Sequence, residues 1–357
     1  MKKRIVIANL LLLMLVFVGS FTGCGSSSSS SLAQKEATTE EVTEAETEAE
    51  TEVETTKAPV ETDDVTVRVE ALKGPTTIGL VNLMADAKAN AANGNYEFTM
   101  LTGGAEIMAD MVAGKADIGL VPSNVAAIMN SKVEGGVSVI DINTLGVLYC
   151  VTGDSSVKGV ADLAGKTVYL TGQGATPEYT LRYLLDQKGI TDCSLEFKSE
   201  PTEIAALLAK DPNAVAVLPQ PFVIAALAQN EAVKLAFSLD SAFSEVNTEC
   251  SIVTGVTVVS NKFLKEHPLA VDAFIEAHKA SADKANSDVE GTAKLVVEQG
   301  IIAKEPIAVK AIPQCNICCM TGSEMKDTLS GYLKVLFDQE PKAVGGTLPS
   351  DDFYYVK

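Results

Sequence analysis

Val65-Thr66-Val67-Arg68-Val69 alternates apolar and polar side chains, runs into Ala71-Leu72, and breaks at Lys73-Gly74-Pro75-Thr76-Thr77. Residues 78–87 then take up helical spacing. Period two, a Gly-Pro break and period 3.6 read as strand, loop and helix. The unit recurs twice. Residues 96–101 form an expected strand, Thr102-Gly103-Gly104 a turn and 105–113 a helix; 116–121 form a buried strand, Pro122-Ser123 a break and 124–130 a helix. Three such units in succession call for an α/β lobe with a mostly parallel sheet flanked by helices, because parallel neighbours need a crossover.

Downstream, 137–152 reads as extended and apolar, leading out of this lobe. Residues 157–163 give a short helix stopped by Gly165, and 167–170 a strand. Thr171-Gly172-Gln173-Gly174-Ala175-Thr176-Pro177 then opens a helix through Leu185, with Thr176 as its expected N-cap. A further unit has Leu195-Glu196-Phe197 as a strand and Thr202 capping a helix through Leu208; 214–218 is a buried strand closed by Pro219-Gln220-Pro221. Residues 251–259 return as a strand, and helices follow from Pro268, near 293–299 and at 323–337. The expected division is therefore residues 65–150 and 253–357 as lobe 1, with 151–252 as lobe 2, joined by a two-segment hinge.

This order resembles the type 2 periplasmic-binding fold of ABC-importer substrate-binding proteins, in the branch related to nitrate, sulfonate and thiamine-precursor binders. The resemblance rests on Lys73-Gly74-Pro75-Thr76-Thr77, on Gly114-Lys115-Ala116-Asp117-Ile118-Gly119, and on Asp162-Leu163-Ala164-Gly165-Lys166-Thr167-Val168. Thr321-Gly322-Ser323-Glu324-Met325-Lys326 and Phe353-Tyr354-Tyr355 complete it. It implies a monomeric binding protein, not an enzyme, that hands a small organic molecule to a permease with a cytoplasmic ATPase. The alternative is a ligand-sensing or surface-interaction lipoprotein with no transporter.

The amino-terminal end agrees with that setting. Lys2, Lys3 and Arg4 precede an apolar run at 5–18, too short to span a bilayer comfortably but suited to a signal peptide, here 1–23. Gly19-Ser20-Phe21-Thr22-Gly23-Cys24 resembles the lipobox of bacterial lipoproteins, with Phe21 where leucine is usual. Cys24 is the expected lipidation site, placing the protein outside the cytoplasmic membrane and anchored to its outer face. Residues 24–64 read as a disordered Ser/Thr/Glu-rich tether; 25–64 hold twelve acids against two bases. About 40 such residues span roughly 35 Å, and more under self-repulsion.

The chain of 357 residues carries a net charge of −19, and Arg68 and Arg182 are its only arginines beyond residue 64. That excludes nucleic acid as a partner. In such a fold, loops at the carboxyl ends of parallel strands feed helix N-termini toward a crevice, which offers N–H groups to a ligand. The candidate ligand-binding residues of lobe 1 are thus Lys73, Gly74, Pro75, Thr76 and Thr77, then Thr102, Gly103 and Gly104, then Pro122, Ser123 and Asn124. Facing them are Thr171, Gly172, Gln173, Gly174 and Thr176, with Gln220 and Pro221. Lys73 is the only base in these loops, and Glu178 is placed to face a cationic or amine ligand.

Other motifs fail. Gly159 to Thr167 lacks the glycine spacing of a phosphate loop and runs into a strand. Gly172-x-Gly174-x-x-Pro177 has proline where a dinucleotide fingerprint needs glycine. No cofactor, catalytic residue or metal site is expected. His267 and His278 read as solvated helix residues. Cys150, Cys193, Cys250, Cys315, Cys318 and Cys319 read as buried thiols, with disulfides left open; Cys315-x-x-Cys318-Cys319 is half a metal motif on an expected strand.

Overall fold

Thr66–Leu72 forms β1, and its alternating residues Val67 and Val69 are buried as the sequence period requires. In the computed structural model, which describes residues 61–357, ten further strands follow: β2 (Asn95–Leu101), β3 (Ile118–Pro122), β4 (Val137–Thr144), β5 (Leu148–Thr152) and β6 (Thr167–Leu170). The remainder are β7 (Ser194–Phe197), β8 (Val215–Pro219), β9 (Lys234–Ser238), β10 (Gly255–Ser260) and β11 (Ile317–Met320). The expected signal peptide, Cys24 and nearly all of the tether lie outside the described residues. Among the described residues, no helix is long and apolar enough to cross a membrane.

The strands build two sheets, β11-β4-β10-β3-β1-β2 and β7-β6-β8-β5-β9. Each has the expected parallel strands, gathered at one side of the sheet: β1 pairs in parallel with β2 and β3, and β6 with β7 and β8. Antiparallel strands extend both, making the sheets mixed. β10 runs against β3 and β4, and β5 against β8 and β9. The physical reason is connectivity, since a chain returning from the other sheet enters from the loop end and must run backwards. The chain passes between sheets twice, through residues 145–147 and again before Gly255.

One late helix couples the two layers. Gly322–Gln339 buries Met325, Leu329, Tyr332, Leu333 and Leu336 along one face, the spacing of an amphipathic helix. It packs against β4 of the first sheet and against the Thr176–Gln187 helix beside the second. The fully buried Tyr332 hydroxyl shares a 2.7 Å hydrogen bond with Thr180, and its ring meets Phe243 edge-on at 6.1 Å.

Three local readings need correction. Thr176 is the first helical residue and Ala175 the N-cap, so the Thr176 hydroxyl caps nothing. The helix after Glu200 likewise starts at Pro201, one position before Thr202. His278, read as solvated, is wholly buried within the Pro268–Ser287 helix, its Nδ1 3.0 Å from Asp141 Oδ2; that partner lies on β4, out of reach of helical periodicity. Cys150, Cys193, Cys250, Cys315, Cys318 and Cys319 are all free thiols.

Candidate functional site

The expected loops all sit at carboxyl ends of parallel strands, which orient them toward one edge of their sheet. After β1, Lys73 donates its backbone N–H to Leu101 O at 2.8 Å, tying the first loop to the end of β2. Thr76 and Thr77 are buried, and both hydroxyls turn back to the Leu72 carbonyl. Their side chains thus brace the turn, and Lys73 remains exposed.

In the second loop, Thr102 N and Gly103 N donate to Glu106 Oε2 at 3.2 and 3.3 Å. This corrects the expectation of free N–H groups there: a capping carboxylate already occupies the helix start. Gly104 lies against the third loop, where an added methyl would stand 3.3 Å from Pro122.

The third loop reaches across. Ser123 donates its hydroxyl to Val253 O at 2.7 Å and its N–H to Thr254 O at 3.2 Å, which binds the loop to the returning segment before β10. Asn124 extends Nδ2 toward Ala343 O at 3.3 Å and toward Gly174 O, in the loop after β6, at 3.5 Å. The first and second sheets thereby meet through two of the expected residues.

That facing loop turns on Gly172 and Gly174, whose φ angles of 80° and 72° favour glycine. Gly174 N donates to Glu178 Oε2 at 2.7 Å, and Arg182 Nε donates to Glu178 Oε1 at 2.8 Å. Glu178 is consumed by its own loop and by an arginine, so it does not stand ready for a cationic ligand. Thr171 and Gly172 are half-buried, and Gln173 is exposed.

Gln220 and Pro221 are buried at the end of β8. Gln220 Nε2 donates to Gln314 Oε1 at 3.0 Å, and Gln314 Nε2 donates to Lys310 O at 3.1 Å. The second bond orients Gln314, which in turn leaves Gln220 Oε1 facing away from any donor. Gln314 was not legible as a site residue, being 94 positions from its partner.

Two expected residues thus carry buried amide oxygens with no hydrogen-bond partner in the structure, Asn124 Oδ1 and Gln220 Oε1, and the buried Thr176 hydroxyl has at most the Tyr332 hydroxyl near it. Thr254 Oγ1, which the sequence did not single out, is another such oxygen. Nδ2 of Asn124 points at two carbonyls, so its oxygen is a genuine acceptor. An orphaned buried acceptor costs about 1–3 kcal/mol, and such atoms recur on loops from both sheets. Lys73, Thr102 and Gln173 are exposed, and among the described residues no hydrogen bond or ion pair brings them together across the sheets.

A groove of about 540 Å³ lies elsewhere, lined by Thr66, Arg68, Gly114, Asp117, Lys262 and His267. It sits at the opposite ends of the same strands, and its arginine is committed to Asp117 through Nε at 2.9 Å.

The fold is that of type 2 periplasmic-binding proteins. An ABC transporter structure from Parabacteroides distasonis superposes with a TM-score of 0.70 at 24% identity, covering 83% of this chain and 100% of that one. The ligand-binding component of an ABC-type import system from Staphylococcus aureus gives 0.63 at 13% identity, covering 82% and 96%. The aliphatic sulphonate binding protein SsuA from Escherichia coli gives 0.61 at 14%, covering 76% and 87%. No curated protein matches the chain. The NMT1/THI5-like family model matches residues 97–290, more than half of the sequence, though not the Lys73–Thr77 loop, and the chain belongs to that family.

Proposed function

We propose that the protein is an extracytoplasmic substrate-binding lipoprotein that captures a small organic molecule between its two lobes and delivers it to an ABC importer. The observation that carries this is the pair of unpartnered, buried amide oxygens on Asn124 and Gln220, one on a loop of each sheet. The similarity to ABC import proteins supports the transport role, and the lipobox-like segment ending at Cys24 supports anchoring to the outer face of the membrane.

The same oxygens narrow the ligand. Two of the helix starts that would hold an oxyanion, those after Gly103 and after Ala175, are occupied by Glu106 and Glu178, and Arg182 is spent on Glu178. What the loops offer is two amide acceptors, Asn124 Oδ1 and Gln220 Oε1, beside hydroxyls that both accept and donate. The ligand is therefore a neutral or weakly basic molecule with several N–H or O–H donors, such as an amide, amidine or amino-heterocycle. Closure of the lobes would bury it, as in hinge-type binding proteins.

The test is a thermal-shift screen of the purified protein against amides, amino-heterocycles, sulfonates and inorganic anions. A ligand at about 100 times its Kd stabilises the fold by roughly 2.7 kcal/mol. Stabilisation by N–H donors with no response to oxyanions supports the reading. A response confined to oxyanions refutes the ligand class, and no response from a broad panel removes the binding role.

A further inference from the structure

A line of buried polar side chains crosses the first sheet and ends on three groups with metal-binding chemistry. Thr144 Oγ1 donates to Asn143 Oδ1 at 3.0 Å, Asn143 Nδ2 to Thr257 Oγ1 at 3.1 Å, and Thr257 Oγ1 to Asp141 Oδ1 at 2.8 Å. Each donor points along the line toward Asp141, whose second oxygen lies 3.0 Å from His278 Nδ1. Asp141 and His278 are completely buried. The other ring nitrogen, Nε2, is buried with no hydrogen-bond partner.

The third group is Cys319, half-buried on β11, the edge strand of this sheet. One ligand atom from each of Asp141, His278 and Cys319 lies within 4.8 Å of the other two. Nearby, Cys315 and Cys318 give their thiols to the Ala311 and Ile142 carbonyls, both at 3.2 Å. The Cys319 thiol makes no such bond among the described residues. An Asp–His pair kept only for packing does not explain the free thiol beside it.

We propose that Asp141, His278 and Cys319 bind a divalent ion of the zinc class, which staples β4, the Pro268–Ser287 helix and β11 together. Carboxylate oxygen, imidazole nitrogen and thiolate sulfur form a donor set that zinc accepts and that magnesium and calcium, which take oxygen ligands, do not. Charge balances as well: one carboxylate and one thiolate neutralise a divalent cation, and neutral imidazole completes three ligands. A tetrahedral ion with ligand bonds of about 2.0–2.3 Å sets its ligand atoms about 3.5 Å apart, so binding through Nδ1 opens the 3.0 Å contact with Asp141 slightly and asks only a modest adjustment of Cys319. β11 can supply that movement, because its pairing with β4 is already irregular between Ile317 and Met320.

The experiment adds cobalt(II), a spectroscopic stand-in for zinc, to the chelator-treated, reduced protein. The expected result is a thiolate-to-cobalt charge-transfer band and intense visible bands that saturate near about one equivalent and are abolished by zinc. Cys319→Ser should lose the charge-transfer band, and Cys318→Ser should keep it. Zinc should raise the melting temperature of wild type and of Cys318→Ser, but not of Cys319→Ser. Absence of the band in wild type, or its persistence in Cys319→Ser, overturns the proposal. Should Cys319→Ser fail to fold, alkylation of wild type mapped by peptide decides: zinc must protect Cys319, and equal labelling with and without zinc overturns the site.

Discussion

Asn124→Ala should separate binding from stability. The side chain is 1% exposed, and its Nδ2 bonds to Ala343 O and Gly174 O measure 3.3 and 3.5 Å. Both exceed the usual 2.7–3.2 Å range, so together they contribute about 1 kcal/mol. Truncation loses them and leaves a small void costing about 1 kcal/mol. It also removes the unpartnered Oδ1, whose burial costs about 1–3 kcal/mol. The terms nearly cancel, and the ligand-free variant should melt within a few degrees of wild type, as about 1 kcal/mol moves a domain of this size by roughly 2–4 °C. Binding has no such compensation. A ligand donor buried without its acceptor costs about 1–3 kcal/mol, or about 5- to 150-fold in Kd. Differential scanning fluorimetry without ligand and calorimetric titration with the molecule found by screening give the two numbers. A fall of several kcal/mol in ligand-free stability, with Kd unchanged, would refute the reasoning and make Asn124 a latch between loops.

Gly255→Ala would drive a methyl into Thr76 and Asn143; a loss of about 1–3 kcal/mol in the denaturant midpoint is expected, and a neutral result would mean that β10 can shift. Glu178→Gln keeps the side chain's shape but weakens its hold on Gly174 N and Arg182. Hydrogen exchange at residues 171–175 should quicken while global stability falls by no more than about 1.5 kcal/mol. Burial raises the Asp240 carboxyl above its ordinary value, so its cost to stability grows as pH rises through that raised value and is absent below the unfolded value of about 3.9. Asp240→Asn should therefore raise the melting temperature near neutral pH, and the difference should vanish in acid; a gain independent of pH would assign it to packing.

Local periodicity was enough to read each strand–loop–helix unit, because the apolar face of β1 or of the Gly322–Gln339 helix is written in neighbouring residues. The positions of Asn124, Thr176 and Gln220 at strand ends were legible for the same reason. Their chemistry was not. Thr76 and Thr77 looked like ligand groups, yet Leu72 O takes both hydroxyls. Glu178 looked available, yet Gly174 and Arg182 hold it, although its spacing from both was visible in the sequence.

The sequence by itself determined the acidic, arginine-poor character of the chain, its α/β units and the loops at the carboxyl ends of the parallel strands, since these depend on composition and on residues a few places apart. Only the tertiary structure decided which polar atoms stay unpaired and which meet. Gln220 finds Gln314 across 94 positions, and His278 finds Asp141 across 137. The antiparallel strands β10 and β11, which complete the first sheet, are likewise placed by distant partners. Hydrogen bonding is decided at a range of about 3 Å in space, and a linear sequence carries no measure of that distance once the chain has folded back on itself.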